Sequence, residues 1–242
     1  MNTDRHIASA FDRDLESVQA MIMRMGGLVE EAILDSADAL ESRDAEKALR
    51  IRQGDRAIDA LEEQIQTECA RVLAQRAPIA GDLRTVLSVM RIAGNLERCG
   101  DYAKNLAKRS LVLNQMPAID GSAGAIRRMA QTVQVQLRDA LNAYIRRDIV
   151  LAGQVRERDA DVDQMYNALF REFLTHMMED PRNITACMHL HFIAKNIERV
   201  GDHSTAIAEQ VIYLVSGALP DLARPKVETT SQDIGQDIGA SE

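Results

Sequence analysis

The sequence predicts an all-α protein built as two tandem three-helix antiparallel bundles related by internal duplication. Three observations carry that expectation. Helix formers dominate: among 242 residues there are 13 Gly, 5 Pro and no Trp, and aromatic residues make up 3%. Apolar residues recur at helical spacing over segments of about 30 residues, long enough to suggest elongated bundles. Finally, Asn95-Leu96-Glu97-Arg98-Cys99-Gly100-Asp101 returns 101 residues later as Asn196-Ile197-Glu198-Arg199-Val200-Gly201-Asp202, with five of seven positions identical. So long a period marks two domain-sized copies, not a solenoid of short repeats.

Each element follows from a stop or a start signal. The first helix, 6–41, ends at Ser42-Arg43-Asp44, where Asp44 is placed to cap the second, 45–76. Pro78 closes that helix, because proline removes a donor and clashes with the preceding turn. The third, 80–114, carries the stripe Leu83, Val86, Leu87, Met90, Ala93 and Gly94 and stops short of Pro117. The fourth, 122–146, runs to Arg146-Arg147-Asp148, and Asp148, 104 residues after Asp44, is placed to cap the fifth, 149–178. Pro181 precedes the sixth, 182–217, which Pro220 and Pro225 terminate. Second-helix positions correspond at a spacing of 104 and third-helix positions at 101, so one loop shortens by three residues, a change duplicated bundles tolerate. The halves span residues 1–116 and 117–219, with the linker around Pro117 setting the angle between them. Residues 220–242 lack a bundle pattern and are expected to be disordered.

Composition narrows the function. A net charge of −8 repels a nucleic-acid backbone, and no Lys/Arg run offers a basic groove, so no nucleic-acid partner is expected. No apolar stretch approaches the ~18 residues a membrane span needs, and the N-terminus has no secretory pattern; the protein is expected to be cytoplasmic. Cys69, Cys99 and Cys187 are odd in number and widely spaced, which suits buried reduced thiols. Met21, Met23 and Met25 read as core filling. There is no Gly-rich phosphate loop, no G-x-S-x-G and no H-E-x-x-H, and neither Glu97 nor Glu198 has a His three residues on as di-iron bundles require. The chain is read as a non-enzyme.

The acidic pairs carry the chemistry. Residues four apart share a helix face, which places Glu97 beside Asp101 and Glu198 beside Asp202, in line with the stripe of Leu83, Leu87, Met90 and Gly94. The second helix of each half supplies Asp55 with Asp59 and Asp159 with Asp163. Antiparallel packing of second on third helix makes four carboxylates converge in each half, and like charges so placed call for a cation. An all-oxygen donor set suits Mg²⁺, Mn²⁺, Ca²⁺ or iron rather than structural zinc. Salt bridges with Arg52, Arg56, Arg98, Arg156 and Arg199 are the competing account. Gly100 and Gly201 read as sites of close helix approach, and His191, whose counterpart is Met90, as a half-buried bundle histidine.

Two three-helix halves, each with acid-x-x-x-Asp pairs on its second and third helices and the string Glu-Arg-x-Gly-Asp, resemble the PhoU family of phosphate-transport accessory proteins over about residues 5–217. The resemblance implies a cytoplasmic, often homodimeric protein that restrains phosphate uptake and the phosphate-starvation response. Its implied partners are the phosphate ABC transporter and a phosphate-sensing histidine kinase, and the membrane is reached only through them. It also implies divalent or trivalent metal ions, Mg, Mn or Fe, held at Asp55, Asp59, Glu97 and Asp101 and at Asp159, Asp163, Glu198 and Asp202. The alternative is a carboxylate-bridged metal store or metalloenzyme, and a third possibility is a helical scaffold.

Overall fold

The two Arg-Asp loops set the first and fourth corners of the fold. In the computed structural model, which describes residues 2–220 and side chains from 11 onward, Arg43 and Arg147 both adopt positive φ (56° and 52°). The next residue then caps a helix: Asp44 accepts from Lys47 N, and Asp148 accepts from Val150 N and Leu151 N. Each cap satisfies N–H groups that have no partner inside the helix. The helices are α1 (Asn2–Ser42), α2 (Ala45–Arg76), α3 (Gly81–Leu113), α4 (Ser122–Arg146), α5 (Ile149–Glu179) and α6 (Ile184–Ser216). A 3-10 turn, Pro181–Asn183, precedes α6, with Asp180 accepting from Arg182 N, so α6 starts two residues later than the sequence suggests. The tail from 221 lies outside the described residues.

α1, α2 and α3 pack on one another, as do α4, α5 and α6. The halves are also joined, α3 against α6 and α1 against α4, and one apolar core runs through both. The duplication extends to the first helix of each half: Ile22 and Ile126, Met25 and Met129, and Val29 and Val133 are 104 apart and all fully buried. Equivalent residues meet across the join. Gln134 donates to Glu30, its counterpart, and the rings of Tyr102 and His203, 101 apart, lie 5.6 Å between centroids. An approximate two-fold axis therefore passes between the halves. A Cβ on Gly26 would overlap Leu141, so glycine is what lets α1 and α4 approach this closely. The expectation that the linker at Pro117 sets the inter-half angle is corrected: the shared core and the α3–α6 and α1–α4 contacts fix it.

α3 sits between three helices and buries a broad arc, including Val86, Val89, Ile92, Leu96, Cys99 and Ala103. Leu83 and Leu87 lie outside it, 38% and 40% exposed. The stripe read from the sequence thus follows the shoulder of the helix, and Glu97 and Asp101 sit there with side chains 28% and 27% exposed. The cysteines are free and buried, as expected, and burial pushes the Cys69 thiol up to about 11. Met25 is fully buried, while Met21 and Met23 pack at the core edge.

Candidate functional site

In the first half, α2 presents Asp55 and Asp59 toward Glu97 and Asp101 of α3. Asp55 is 5% exposed, whereas Asp59, one turn on, is exposed. Lys104, three residues beyond Asp101 on α3, donates to Asp101 Oδ1 (2.7 Å) and to Asp55 Oδ2, so a single ammonium bridges the two helices. Arg98 approaches Glu97 and Asp101 at 3.6 and 3.7 Å. The remaining repulsion shows in the carboxyl groups. Partial desolvation against α3, then the neighbouring Asp55, raises the Asp59 pKa even though the residue is largely exposed, and burial, then Asp101, raises that of Glu97. Gly100 makes the approach possible: a Cβ there would lie 3.0 Å from Ile58 Cδ1 and 3.6 Å from Asp55 Oδ1.

The second half repeats the frame with different cations. Lys195 Nζ, three residues before Glu198 on α6, donates to Glu198 Oε1 (2.9 Å) and lies 5.0 Å from the Tyr166 ring centre. Asp202 and Asp163 lie near enough to Glu198 to raise its pKa, after the larger effect of its own burial and against the lowering by Lys195. Gln136 of α4 donates to Asp159 Oδ1 (3.1 Å). A Cβ on Gly201 would lie 3.4 Å from both Asp159 Oδ1 and Val162 Cγ1, the same packing as Gly100 on Asp55 and Ile58.

Lys104, Lys195 and Gln136 had no place in the sequence reading. The two lysines carry a signal, spacing of three from Asp101 and from Glu198 on one helix face. Because their counterparts are Thr205 and Gly94, a search for repeated residues passes over them. Of the arginines weighed as partners, Arg98 lies beside Glu97 and Asp101, Arg156 pairs with Glu209 (3.4 Å) and Arg199 lies over Tyr102 (5.8 Å). His191 packs on Tyr166, Phe170 and Phe192, and burial followed by Lys195 lowers its pKa. It is a bundle histidine.

Among the described residues, no three His, Cys, Asp or Glu side chains converge to hold a metal ion as placed. Asp55 Oδ1 and Glu198 Oε2 are nevertheless buried with no hydrogen-bond partner, and a buried carboxylate oxygen without one is costly. The donor chemistry fits a hard cation. In the first half the Lys104 ammonium stands between Asp55 and Asp101, so its side chain has to swing aside before another ion is shared there.

Fold and site together define an all-α, internally duplicated bundle with paired acidic clusters on the second and third helices of each half. The PhoU domain matches residues 22–110 and again 126–211, and the chain belongs to the PhoU family. It is 44% identical over 226 residues to the phosphate-specific transport system accessory protein PhoU homolog of Rhizobium meliloti (strain 1021), covering 93% of this chain and 95% of that one. Identity to the protein of the same name in Xylella fastidiosa (strain Temecula1 / ATCC 700964) is 46% over 228 residues, 94% of each chain. Among solved structures, PhoU from Pseudomonas aeruginosa superposes with a TM-score of 0.83 at 38% identity, covering 86% of this chain and 100% of that one. The phosphate transport system regulatory protein PhoU from Streptococcus pneumoniae gives 0.80 at 32% identity, covering 88% and 100%. No helix among the described residues is long and apolar enough to cross a membrane.

Proposed function

We propose that this protein is a cytoplasmic negative regulator of phosphate uptake and of the phosphate-starvation response, linking the phosphate ABC transporter to a sensor histidine kinase. The observation that carries the reading is identity of 44–46% across nearly the full length to proteins named as phosphate-specific transport accessory proteins. Regulation of this kind works without turnover. Docking to one form of a transporter or kinase more tightly than to another shifts the balance between forms by that difference in affinity. A homodimer is part of the reading, and Ile184, Met188 and Phe192, exposed at four-residue spacing on α6, supply apolar surface for it. Deleting the gene is expected to leave phosphate-starvation genes expressed in phosphate-rich medium. Unchanged uptake and reporter expression in the deletion strain overturn the reading.

The acidic clusters belong to the same proposal. Asp55, Asp59, Glu97 and Asp101 would hold one hard cation, Mg, Mn or Fe, and Asp159, Asp163, Glu198 and Asp202 another. A bound ion supplies positive charge that offsets the mutual repulsion of these groups. Support comes from the all-oxygen donor set and from the unpartnered Asp55 Oδ1 and Glu198 Oε2. The same two atoms favour a second reading, a metal store or metalloenzyme. Turnover of a phosphate or redox substrate by purified, metal-loaded protein would select it.

A further inference from the structure

The two halves differ along the outer edge where the second and third helices of each meet. On α5, Phe170, Leu174 and Met178 follow one another at four-residue spacing, and the α2 residues 104 positions earlier are Gln66, Ala70 and Ala74. On α6, Ile184, Met188 and Phe192 repeat that spacing, against Leu83, Leu87 and Arg91 of α3, 101 positions earlier. In the first half Gln66 Nε2 donates to Glu62 Oε1 (2.9 Å) and to Met90 O (3.4 Å), which closes the edge with a polar side chain. In the second half Phe170 packs on His191, the counterpart of Met90, at 5.3 Å between ring centres, and His191 on Phe192 at 5.7 Å. Ring contact thus joins the α5 row to the α6 row.

These rows are open to solvent. Met178 is 77% exposed, and Leu174, Ile184, Met188 and Phe192 are between 39% and 46% exposed. Taking ~200 Å² for a large apolar residue, they present roughly 500 Å². That lies high in the ~300–600 Å² range of the largest patch on an ordinary monomer, and it matches the non-polar share, ~60%, of the ~800 Å² that each partner buries in a stable complex. Phe and Met beside an Arg, here Arg109, are also the residues enriched at the centres of interfaces. The first half, with Ala70, Ala74 and Arg91 in three of these places, keeps Leu83 and Leu87 from the same pattern.

The charges beside this face select its occupant. Glu179 closes α5 next to the start of α6, with a side chain 68% exposed that reaches His176 at 3.8 Å. At the other end of the α6 row, Arg109 of α3 lies 4.4 Å over the Phe192 ring and 3.3 Å from His189 Nδ1. Asp180 and Arg182 neutralise each other at 2.8 Å. A second copy turned about a two-fold axis through Met188 runs its α6 antiparallel to the first. Ile184 then meets Phe192 of the second copy, and Glu179 approaches Arg109 of the second copy. The face is complementary to itself, as a two-fold interface requires, and a row spaced by four packs on its own copy as ridges into grooves. We propose that the α5–α6 edge of the second half is the surface through which two copies of this chain pair. This rests on the homodimer reading and gives it a place and a register.

The test is sedimentation velocity of the full chain over micromolar concentrations, with second-half residues exchanged for their first-half counterparts. The wild-type chain should sediment as a dimer. Phe192→Arg, and separately Leu174→Ala with Met178→Ala, should weaken the dimer about tenfold or more, because each lost contact counts twice across a two-fold axis. Leu83→Ala with Leu87→Ala, a matching loss on the first-half edge, should leave it intact. If one second-half variant fails to fold by circular dichroism, the other carries the test. Glu179→Arg and Arg109→Glu should each weaken the dimer by about threefold or more, and the two together should restore it. A dimer that the second-half substitutions leave unchanged, that the first-half pair weakens equally, or that the paired charge reversal does not restore overturns this surface and leaves the homodimer reading standing. A wild-type chain that stays monomeric overturns both and leaves the face to a different protein.

Discussion

Replacing Lys104 by Met removes the ammonium that joins α2 to α3 while keeping most of the stem's apolar contact. Asp55 keeps a side chain only 6% exposed, whereas Lys104 itself is 34% exposed. The pair therefore falls between exposed ion pairs, worth ~0–1 kcal/mol, and buried pairs, whose disruption costs about 3–5 kcal/mol. Discounting for solvent at the lysine gives a loss of about 2 kcal/mol. For a chain of this size that lowers Tm by roughly 4–8 °C. The pH dependence gives a second check. Asp59 and Glu97 have folded pKa values raised by partial desolvation and by neighbouring carboxylates. A raised folded pKa contributes stability at pH below the ordinary carboxylate value and loses it as pH rises through the raised one. Without Lys104 that repulsion grows, so the deficit of the variant should be largest at neutral pH and shrink as pH falls through the raised pKa values of these groups. Added Mg²⁺ or Mn²⁺ should raise the variant's Tm more than the parent's, because the ion no longer competes with an ammonium. Thermal melts followed by circular dichroism across this pH range, with and without the ion, read all three effects. A variant that melts within about 1 °C of the parent at neutral pH, or whose deficit stays the same down to about pH 4, in the ordinary carboxylate range, refutes the bridging role.

Gly100→Ala should destabilise by about 1 kcal/mol, as overpacking of ~1–3 kcal/mol against buried Ile58 outweighs the ~1 kcal/mol gain in helix propensity. Gly201→Ala, with its nearest contacts at 3.3–3.4 Å, should fall within about 1 kcal/mol of neutral. Urea denaturation midpoints separate the two, and an equal loss in both denies the difference in packing. Gln136→Ala removes the donor to Asp159, Thr205 and Val155 and is expected to cost about 1–3 kcal/mol in the same assay; an unchanged midpoint argues against that network. Chelation should lower the Tm of metal-loaded parent protein, and Glu97→Gln, Asp101→Asn, Glu198→Gln and Asp202→Asn together should remove that sensitivity. Equal chelator response in parent and variant counts against these ligands.

The helices were legible in the sequence because their ends are local chemistry. Asp44 and Asp148 cap as their positions after Arg43 and Arg147 suggest, and Pro78, Pro117 and Pro181 fall between α-helices. The α3 stripe misled in part because α3 is covered by α1, α2 and α6, and its buried arc runs through Val86, Val89, Ile92, Ala93 and Leu96, to one side of Leu83 and Leu87. The join between halves was not legible either. It depends on long-range contacts such as Tyr102 with His203 and Glu30 with Gln134, which no single helix encodes. At the acidic clusters, repetition drew attention to the carboxylates, but their neutralisers differ between halves: Lys104 stands where the second half has Thr205, Lys195 where the first has Gly94, and Gln136 where the first has Ala32. Duplicated frames reveal what they share, and the specific chemistry here lies in what they do not.

The proposal that most needs testing is that this PhoU-family protein represses the phosphate-starvation response and that its acidic clusters are needed for it. Its most direct test is complementation of the deletion strain in phosphate-rich medium, read with a phosphate-starvation reporter. The account predicts that the wild-type chain restores low expression, whereas the variant with Glu97→Gln, Asp101→Asn, Glu198→Gln and Asp202→Asn, present at equal abundance, leaves the reporter high. Full repression by that variant would contradict it.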